Sequence, residues 1–182
     1  HKKASVSGDI RESTIALKKS FIYGLRNVGL DVYDLGILPT PVNYFSLFNT
    51  DIVNSVQITG SHNPPKFNGF KISYNKKPFF GKNILKLKDI IEKKSFKSYN
   101  KTGKLFKLEI LEDYVKFIKN NINIDKNINC IIDCGNATAG IIAPELFTEL
   151  NKHTSVNPKY WYANNCLITS NGLKYQYYNI RK

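Results

Sequence analysis

A serine with an imidazole beside it and a lysine ten residues on is the constellation here whose residue types could do chemistry. Ser61, His62 and Lys71 lie within Thr59-Gly60-Ser61-His62-Asn63-Pro64-Pro65-Lys66-Phe67-Asn68-Gly69-Phe70-Lys71. Glycine stands at both shoulders of this stretch and two prolines in its middle, so the loop is bent and stiff. An apolar, β-prone run (53–58) feeds it and a second (70–74) leaves it. By composition alone such a loop is a solvated hairpin. Loops on rigid scaffolds carry function, however, and the stiffening residues hold one hydroxyl in place. A serine hydroxyl is a weak nucleophile and needs activation. A hydrolase-type Ser61–His62 dyad is disfavoured, because neighbours in extended chain point to opposite sides. No Gly-x-Ser-x-Gly elbow is present either.

Thr-Gly-Ser-His-Asn-Pro followed by Asn-Gly-Phe-Lys resembles the active-serine loop of the α-D-phosphohexomutases, most closely the phosphomannomutase/phosphoglucomutase branch. Asp9-x-Arg11-x-Ser13 looks like that family's first-domain turn, and Gly36-x-x-Pro39-Thr40-Pro41 is similar to its segment before the second strand. Ile132-Asp133-Cys134-Gly135-Asn136-Ala137 resembles the opening of its second domain. The resemblance covers residues 4–150 and fades afterwards.

The resemblance implies an intramolecular phosphotransferase that moves a phosphoryl group between the 1- and 6-positions of a hexose through phospho-Ser61. Such chemistry suits a serine: the transition state is loose, and positioning with charge neutralisation supplies most of the catalysis. A phosphoserine carries about −1.5 to −2 charge at pH 7 and needs cations near it. His62, Lys71 and Arg11 are the candidates. Lys71 is read as general acid/base or phosphate contact, against a surface strand lysine. The Arg11 fork suits phosphate, against a helix-start ion pair. His62 is a phosphate donor or a loop-orienting residue. Asn63, Asn68 and Gly69 are read as shaping the loop.

The resemblance also implies Mg²⁺, held between the phosphate on Ser61 and an Asp-Gly-Asp-x-Asp-Arg loop. No such run occurs in this chain, nor do the loops that recognise the sugar and its phosphate. Mg²⁺ demands near-octahedral oxygen ligands, which one phosphoserine does not supply. The 182 residues alone are therefore expected to be inactive. The alternative within the family is a phosphoglucosamine mutase, whose loop usually has Ala before the Ser and Gly-Ile-Lys after it, where this chain has Gly60 and Gly69-Phe70-Lys71. Alternatives of other classes are a basic nucleic-acid-binding domain and a non-catalytic remnant.

The net charge of +13 would ordinarily point to nucleic acid. The basic residues are mostly lysines scattered among Asn, Ile, Tyr and Phe, without a stacking motif, so the expected partner is a hexose phosphate and not nucleic acid. No apolar run approaches the roughly 20 residues that span a bilayer, so no membrane partner is expected. Cys130 and Cys134, four residues apart on a strand, would lie about 13 Å apart. Disulfides need α-carbons within about 7 Å. A reduced, cytoplasmic protein is expected.

The elements that must position these residues read as an α/β order. A short strand (4–6) leads to a helix with Ser13 as N-cap, Leu17, Phe21, Leu25 and Val28 on one face, and Gly29 as C-cap. A strand (31–35), a breaker cluster (36–41), a short helix (42–48) and the strand 53–58 follow. Strand, helix, strand, helix, strand argues for a mainly parallel sheet flanked by helices. Its carboxyl strand ends should bring Arg11 and Ser13, Pro39 and Thr40, and Ser61 to one rim. A turn (75–78), a helix (82–94), a polar stretch (95–104) and a helix (109–121) complete a first domain of residues 1–121. After a linker (122–129), residues 128–182 are expected to be a partial second α/β domain, with a strand (130–133), a glycine-bearing loop read as structural, and a helix (141–150). From 151 neither period is sustained, and a truncated or frameshifted tail is expected, with a divergent local fold as the alternative.

Overall fold

The structure is a computed structural model that describes residues 3–97, 99–123, 128–135, 137–151, 156–163, 166–169 and 174–175. The chain divides into two compact units, His1–Glu109 and Ile110–Lys182. In the first, β1 (Lys3–Gly8), α1 (Glu12–Asn27), β2 (Asp31–Ile37), α2 (Thr40–Asn49) and β3 (Asn54–Ile58) follow the expected order. They continue into β4 (Phe70–Tyr74), β5 (Lys77–Pro78), α3 (Lys82–Glu92) and β6 (Leu105–Lys107). One sheet results, in the order β5-β4-β3-β1-β2-β6. Strands β3, β1, β2 and β6 run parallel, and β4 and β5 add as an antiparallel hairpin beside β3.

The two sheet faces differ in chemistry because side chains alternate along each strand. On one, Val6, Val32, Val56 and Ile58 pack against Ile22 of α1, with Leu17, Phe21, Leu25 and Ile72 around them. On the other, buried polar side chains meet α2. Ser7 Oγ donates to Gln57 Oε1 at 2.6 Å, Asn43 Nδ2 donates to Ser7 Oγ at 2.7 Å, and the Ser5 and Ser46 hydroxyls lie 2.8 Å apart.

Helix α1 ends as its sequence dictates. Gly29 sits at φ 81°, its amide donating to Arg26 O and that of Leu30 to Leu25 O, which completes a Schellman motif. Its start corrects the expectation: Ser13 is not the N-cap. Arg11 is, with no side-chain cap, and Ser13 lies inside the first turn, where its hydroxyl accepts from Asn68 Nδ2. Between β4 and β5, Asn75 and Lys76 both adopt positive φ (50° and 60°), the geometry of a two-residue hairpin turn that follows strand twist. Strand β6 arises where the sequence shows no period: three residues pair with Val32–Asp34 at the sheet edge.

In the second unit, α4 (Leu111–Asn121) and α5 (Ala139–Asn151) accompany β7 (Ile128–Asp133), β8 (Val156–Ala163), β9 (Cys166–Thr169) and β10 (Lys174–Tyr175). The sheet order is β10-β9-β8-β7, with β7 and β8 parallel and the rest antiparallel. The sequence pattern assigns α4 to the first domain, whereas here it groups with α5, joined by Lys119 and Glu149 at 3.3 Å. The linker expected at 122–129 falls partly on 124–127, outside the described residues. Within the tail read as truncated or frameshifted, with a divergent local fold as the alternative, β8 to β10 are strands; Tyr160-Trp161-Tyr162 is a β-prone run without the alternation that flags a half-buried strand. No helix among the described residues is long and apolar enough to cross a membrane.

Candidate active site

Three strand ends are tied into one rim. Asp9 N donates to Ile58 O at 2.9 Å and Leu38 N to Gly8 O at 3.0 Å, joining the ends of β1, β3 and β2. The buried amide of Gln57 adds a bond from Nε2 to Leu38 O at 3.0 Å. Strand order reverses between β1 and β3. The crevice outside such a reversal is where open α/β sheets bind ligands, and the serine loop rises from it.

The loop is a continuation of the β3–β4 hairpin, closed at its base by Thr59 N to Gly69 O at 2.9 Å. Above this pair, Asn63 N donates to Gly60 O and Phe67 N to Pro64 O, each at 3.0 Å, giving two successive turns. Ser61 sits at the first, exposed, with φ at 51° and its amide bonded to Thr59 Oγ1 at 3.0 Å. A side chain in this left-handed region is strained, and it persists where its surroundings over-determine it.

What over-determines it is Arg11. Its Nη1 donates to Pro64 O (2.7 Å) and Phe67 O (2.9 Å), and its Nη2 to Ser61 O (3.0 Å) and Asn63 O (2.8 Å). Nε donates to Asp9 Oδ2 at 3.0 Å. All five guanidinium donors are thereby used. The guanidinium lies so close over Gly60 that a Cβ there would meet Arg11 Cζ at 2.5 Å. At the far side, Asn68 Nδ2 reaches Ser13 Oγ (3.0 Å) and Thr14 Oγ1 (2.9 Å) on α1, and Asn68 Oδ1 accepts from Gly69 N.

Asp9 collects four of these strands of the network. Oδ1 accepts from Arg11 N (3.1 Å) and Thr14 Oγ1 (2.7 Å), and Oδ2 from Arg11 Nε (3.0 Å) and Gly60 N (3.3 Å). Burial works against its charge. Hydrogen bonds from the Thr14 hydroxyl, the Arg11 amide, the Thr59 hydroxyl and the Gly60 amide outweigh that, and the carboxyl lies below its ordinary value.

Residues 1–98 match the phosphoglucomutase/phosphomannomutase α/β/α domain I. The chain belongs to this family. It is 38% identical over 156 residues to the phosphomannomutase/phosphoglucomutase of Pseudomonas aeruginosa, covering 86% of this chain and 33% of that protein. It is 40% identical over 161 residues to the phosphoglucosamine mutase of Methanococcus vannielii, covering 86% of this chain and 36% of that one. A phosphoglucomutase/phosphomannomutase family protein from Burkholderia thailandensis superposes with a TM-score of 0.77 at 30% identity, over 86% of this chain and 35% of the other. The chain thus spans about a third of the length of these relatives.

In this phosphoglucomutase/phosphomannomutase domain the residues singled out by sequence are placed unequally. Ser61 and Arg11 are brought together, but through the serine's carbonyl. Arg11, read as a phosphate contact, has its fork committed to loop carbonyls and Asp9, so here it holds the loop. His62 is exposed on the first turn, and among the described residues neither it nor Lys71 makes a side-chain hydrogen bond or ion pair. Lys71 stands on β4 opposite Gln57, one pair below the last rung of the hairpin, Ile58–Phe70. Phe70 stacks on Phe21 of α1, so by alternation Lys71 is directed to the opposite face of the sheet. Asn68 and Gly69 shape the loop as expected. Among the described residues no group of three or more His, Cys, Asp or Glu could hold a metal ion. The carboxylate nearest the serine loop, Asp9, is engaged by donors on both oxygens, so these residues do not make up a magnesium site.

The residues that sequence reasoning passed over as functional are Asp9, Gly60 and Gln57. Their signals were present: an Asp two residues before an Arg at a helix start, and a glycine before the serine. A lone Gln in an apolar strand was the third.

Proposed function

We propose that Ser61 is the phosphoryl carrier of a phosphohexomutase that interconverts hexose 1- and 6-phosphates. The observation that carries this reading is the exposed Ser61 hydroxyl, held in a strained left-handed turn by a saturated arginine at the rim of a phosphoglucomutase/phosphomannomutase domain I. Positioning of this kind is what a loose phosphoryl-transfer transition state rewards. In the forward direction the 6-oxygen of a hexose 1-phosphate attacks the phosphorus on Ser61. The O6–P bond forms, the Oγ–P bond breaks, and the proton of the 6-hydroxyl passes to a base. In the return step the Oγ–P bond forms again with the 1-phosphoryl group of the bisphosphate, the O1–P bond breaks, the base gives its proton to O1, and hexose 6-phosphate leaves. Lys71 and His62 are this chain's groups for moving the proton and facing the phosphate charge. A magnesium ion, when bound, supplies charge neutralisation, and the phosphate on Ser61 is the ligand this domain offers it.

The relatives named as phosphomannomutase/phosphoglucomutase and as phosphoglucosamine mutase match at similar identity, so the proposal covers hexose and hexosamine phosphates as one substrate class. The test is incubation with glucose 1,6-bisphosphate followed by mass spectrometry of the 59–71 peptide. One added phosphate at Ser61, absent in Ser61→Ala, is expected. Phosphate on another residue, or none, would refute the proposal. Residues 1–182 alone should show no mutase turnover, and measurable turnover would overturn that.

A further inference from the structure

We propose that Asp9 is a positioning residue for Ser61, acting through Arg11. Its importance for phosphoryl transfer rests on the reading of Ser61 above, whereas its effect on the loop does not. The four carbonyls of residues 61, 63, 64 and 67 converge on one guanidinium, and nothing in the loop itself sets that plane. Asp9 does. It grips Arg11 at both ends, at the backbone amide through Oδ1 and at Nε through Oδ2, with both side chains only 14% exposed. The same carboxylate binds the Gly60 amide, next to Ser61, and the Thr14 hydroxyl, to which Asn68 at the other end of the loop is bonded. One residue therefore fixes the start of α1, the arginine plane and both shoulders of the loop. It sits beyond the chemistry and touches no reacting atom.

The groups that face Asp9 are all donors, and an ionised carboxylate is acceptor-only. An asparagine of the same shape offers one carbonyl oxygen, and turns an NH₂ group on donors at the other position. The arginine plane is then released and its grip on the loop fails. A Cβ at residue 60 removes the same grip from the opposite side, without altering any charge, because it occupies the guanidinium's place. If both substitutions act through Arg11, their effects do not add.

The experiment uses the 182-residue chain with Asp9→Asn, Gly60→Ala, the double variant, and Asp51→Asn as a surface-carboxylate control. Amide hydrogen exchange at residues 60, 61, 63, 67 and 69 should rise about tenfold to a hundredfold in each single variant, the scale of lost charge-assisted hydrogen bonds. Amides of β1, β2 and α2 and the control should stay within about twofold of wild type, within the few tenths of a kcal/mol that ordinary surface changes cost. A slowly exchanging Arg11 Nε–H resonance should be visible by NMR in wild type and lost in Asp9→Asn. A merely structural role would not single out this resonance. The double variant should match the worse single variant. Retention of the Arg11 resonance and loop protection in Asp9→Asn would overturn the proposal, as would additive effects. Should Asp9→Asn not fold, an intact loop in Gly60→Ala would overturn it equally. Phosphate uptake at Ser61 from glucose 1,6-bisphosphate should fall about tenfold or more alongside. No uptake by wild type would refute the phosphoryl-carrier reading, and the exchange data would still decide the role of Asp9.

Discussion

Replacing Ser61 by glycine separates what the residue does for chemistry from what it costs the fold. At φ 51° the serine Cβ is strained, by about 1–2 kcal/mol on the left-handed scale. Glycine removes that strain but adds unfolded-state entropy worth about 0.4–1 kcal/mol. Because the Ser61 hydroxyl forms no hydrogen bond among the described residues, nothing else is lost. Ser61→Gly should therefore stabilise the protein by roughly 0.5–1 kcal/mol, a rise of about 1–4 °C in Tm at this chain length, while abolishing phosphate uptake. Thermal unfolding measures the first and mass spectrometry the second. A lower Tm would mean that the turn favours serine for a reason other than its hydroxyl. At this scale the sequence marked the loop formers Asn68 and Gly69, and it left Arg11 open between a phosphate ligand and a helix-start ion pair, of which the pair with Asp9 is formed. An arginine near a serine loop reads as a phosphate ligand, because only coordinates reveal that four backbone carbonyls have turned inward to meet it. Lys71 is placed by the same rule that places its neighbour: Phe70 stacks on Phe21, and strand alternation directs Lys71 to the opposite sheet face.

Among the elements, the contact between the sheet and α2 carries an unusual load of polar groups. Gln57 accepts from Ser7 and donates to Leu38 O, so the serine-bearing strand and the β2–α2 connection share one amide. Gln57→Leu keeps the volume but orphans a hydroxyl and a carbonyl, each costing about 1–3 kcal/mol when buried. A loss of about 2–4 kcal/mol is expected, read as a lower urea midpoint at unchanged m-value. Ser55 makes the opposite case. Its Oγ is buried without a hydrogen-bond partner among the described residues, so Ser55→Ala should be neutral or stabilising by about 1 kcal/mol. If both variants destabilise alike, the layer is held by shape and not by these bonds. The elements themselves were legible where a period ran long enough. Helices α1 and α4 announced themselves through Leu17, Phe21 and Leu25 and through Val115, and the parallel order followed from their alternation with strands. Strand β6 was not legible, since three residues cannot display a period, and it forms because the edge of β2 needs backbone partners. Strands β8 to β10 escaped for a related reason, as their aromatic and polar residues follow neither template.

For the whole molecule the informative variable is pH. The chain carries 27 Lys and Arg against 14 Asp and Glu, so acid protonates its minority charges and raises an already positive self-repulsion. Stability should fall in acid for that reason alone, and the share owed to Asp9 has to be separated by a variant. The folded carboxyl titrates below its ordinary value of 3.8. The unfolded chain therefore binds the proton more readily. The stabilisation from ionised Asp9 is fully present above the unfolded value and is lost as pH falls through the folded one. It should be constant from pH 5 to 8, about one unit or more above the unfolded value. Thermal unfolding of wild type and Asp9→Asn across pH 3–8 should then give two curves separated by a fixed gap at neutral pH, converging below about pH 4. The general charge repulsion bends both curves downward together and does not close the gap. A gap that persists unchanged at pH 3 would mean that Asp9 serves the loop by shape alone, and that its charge is not what keeps the arginine in place.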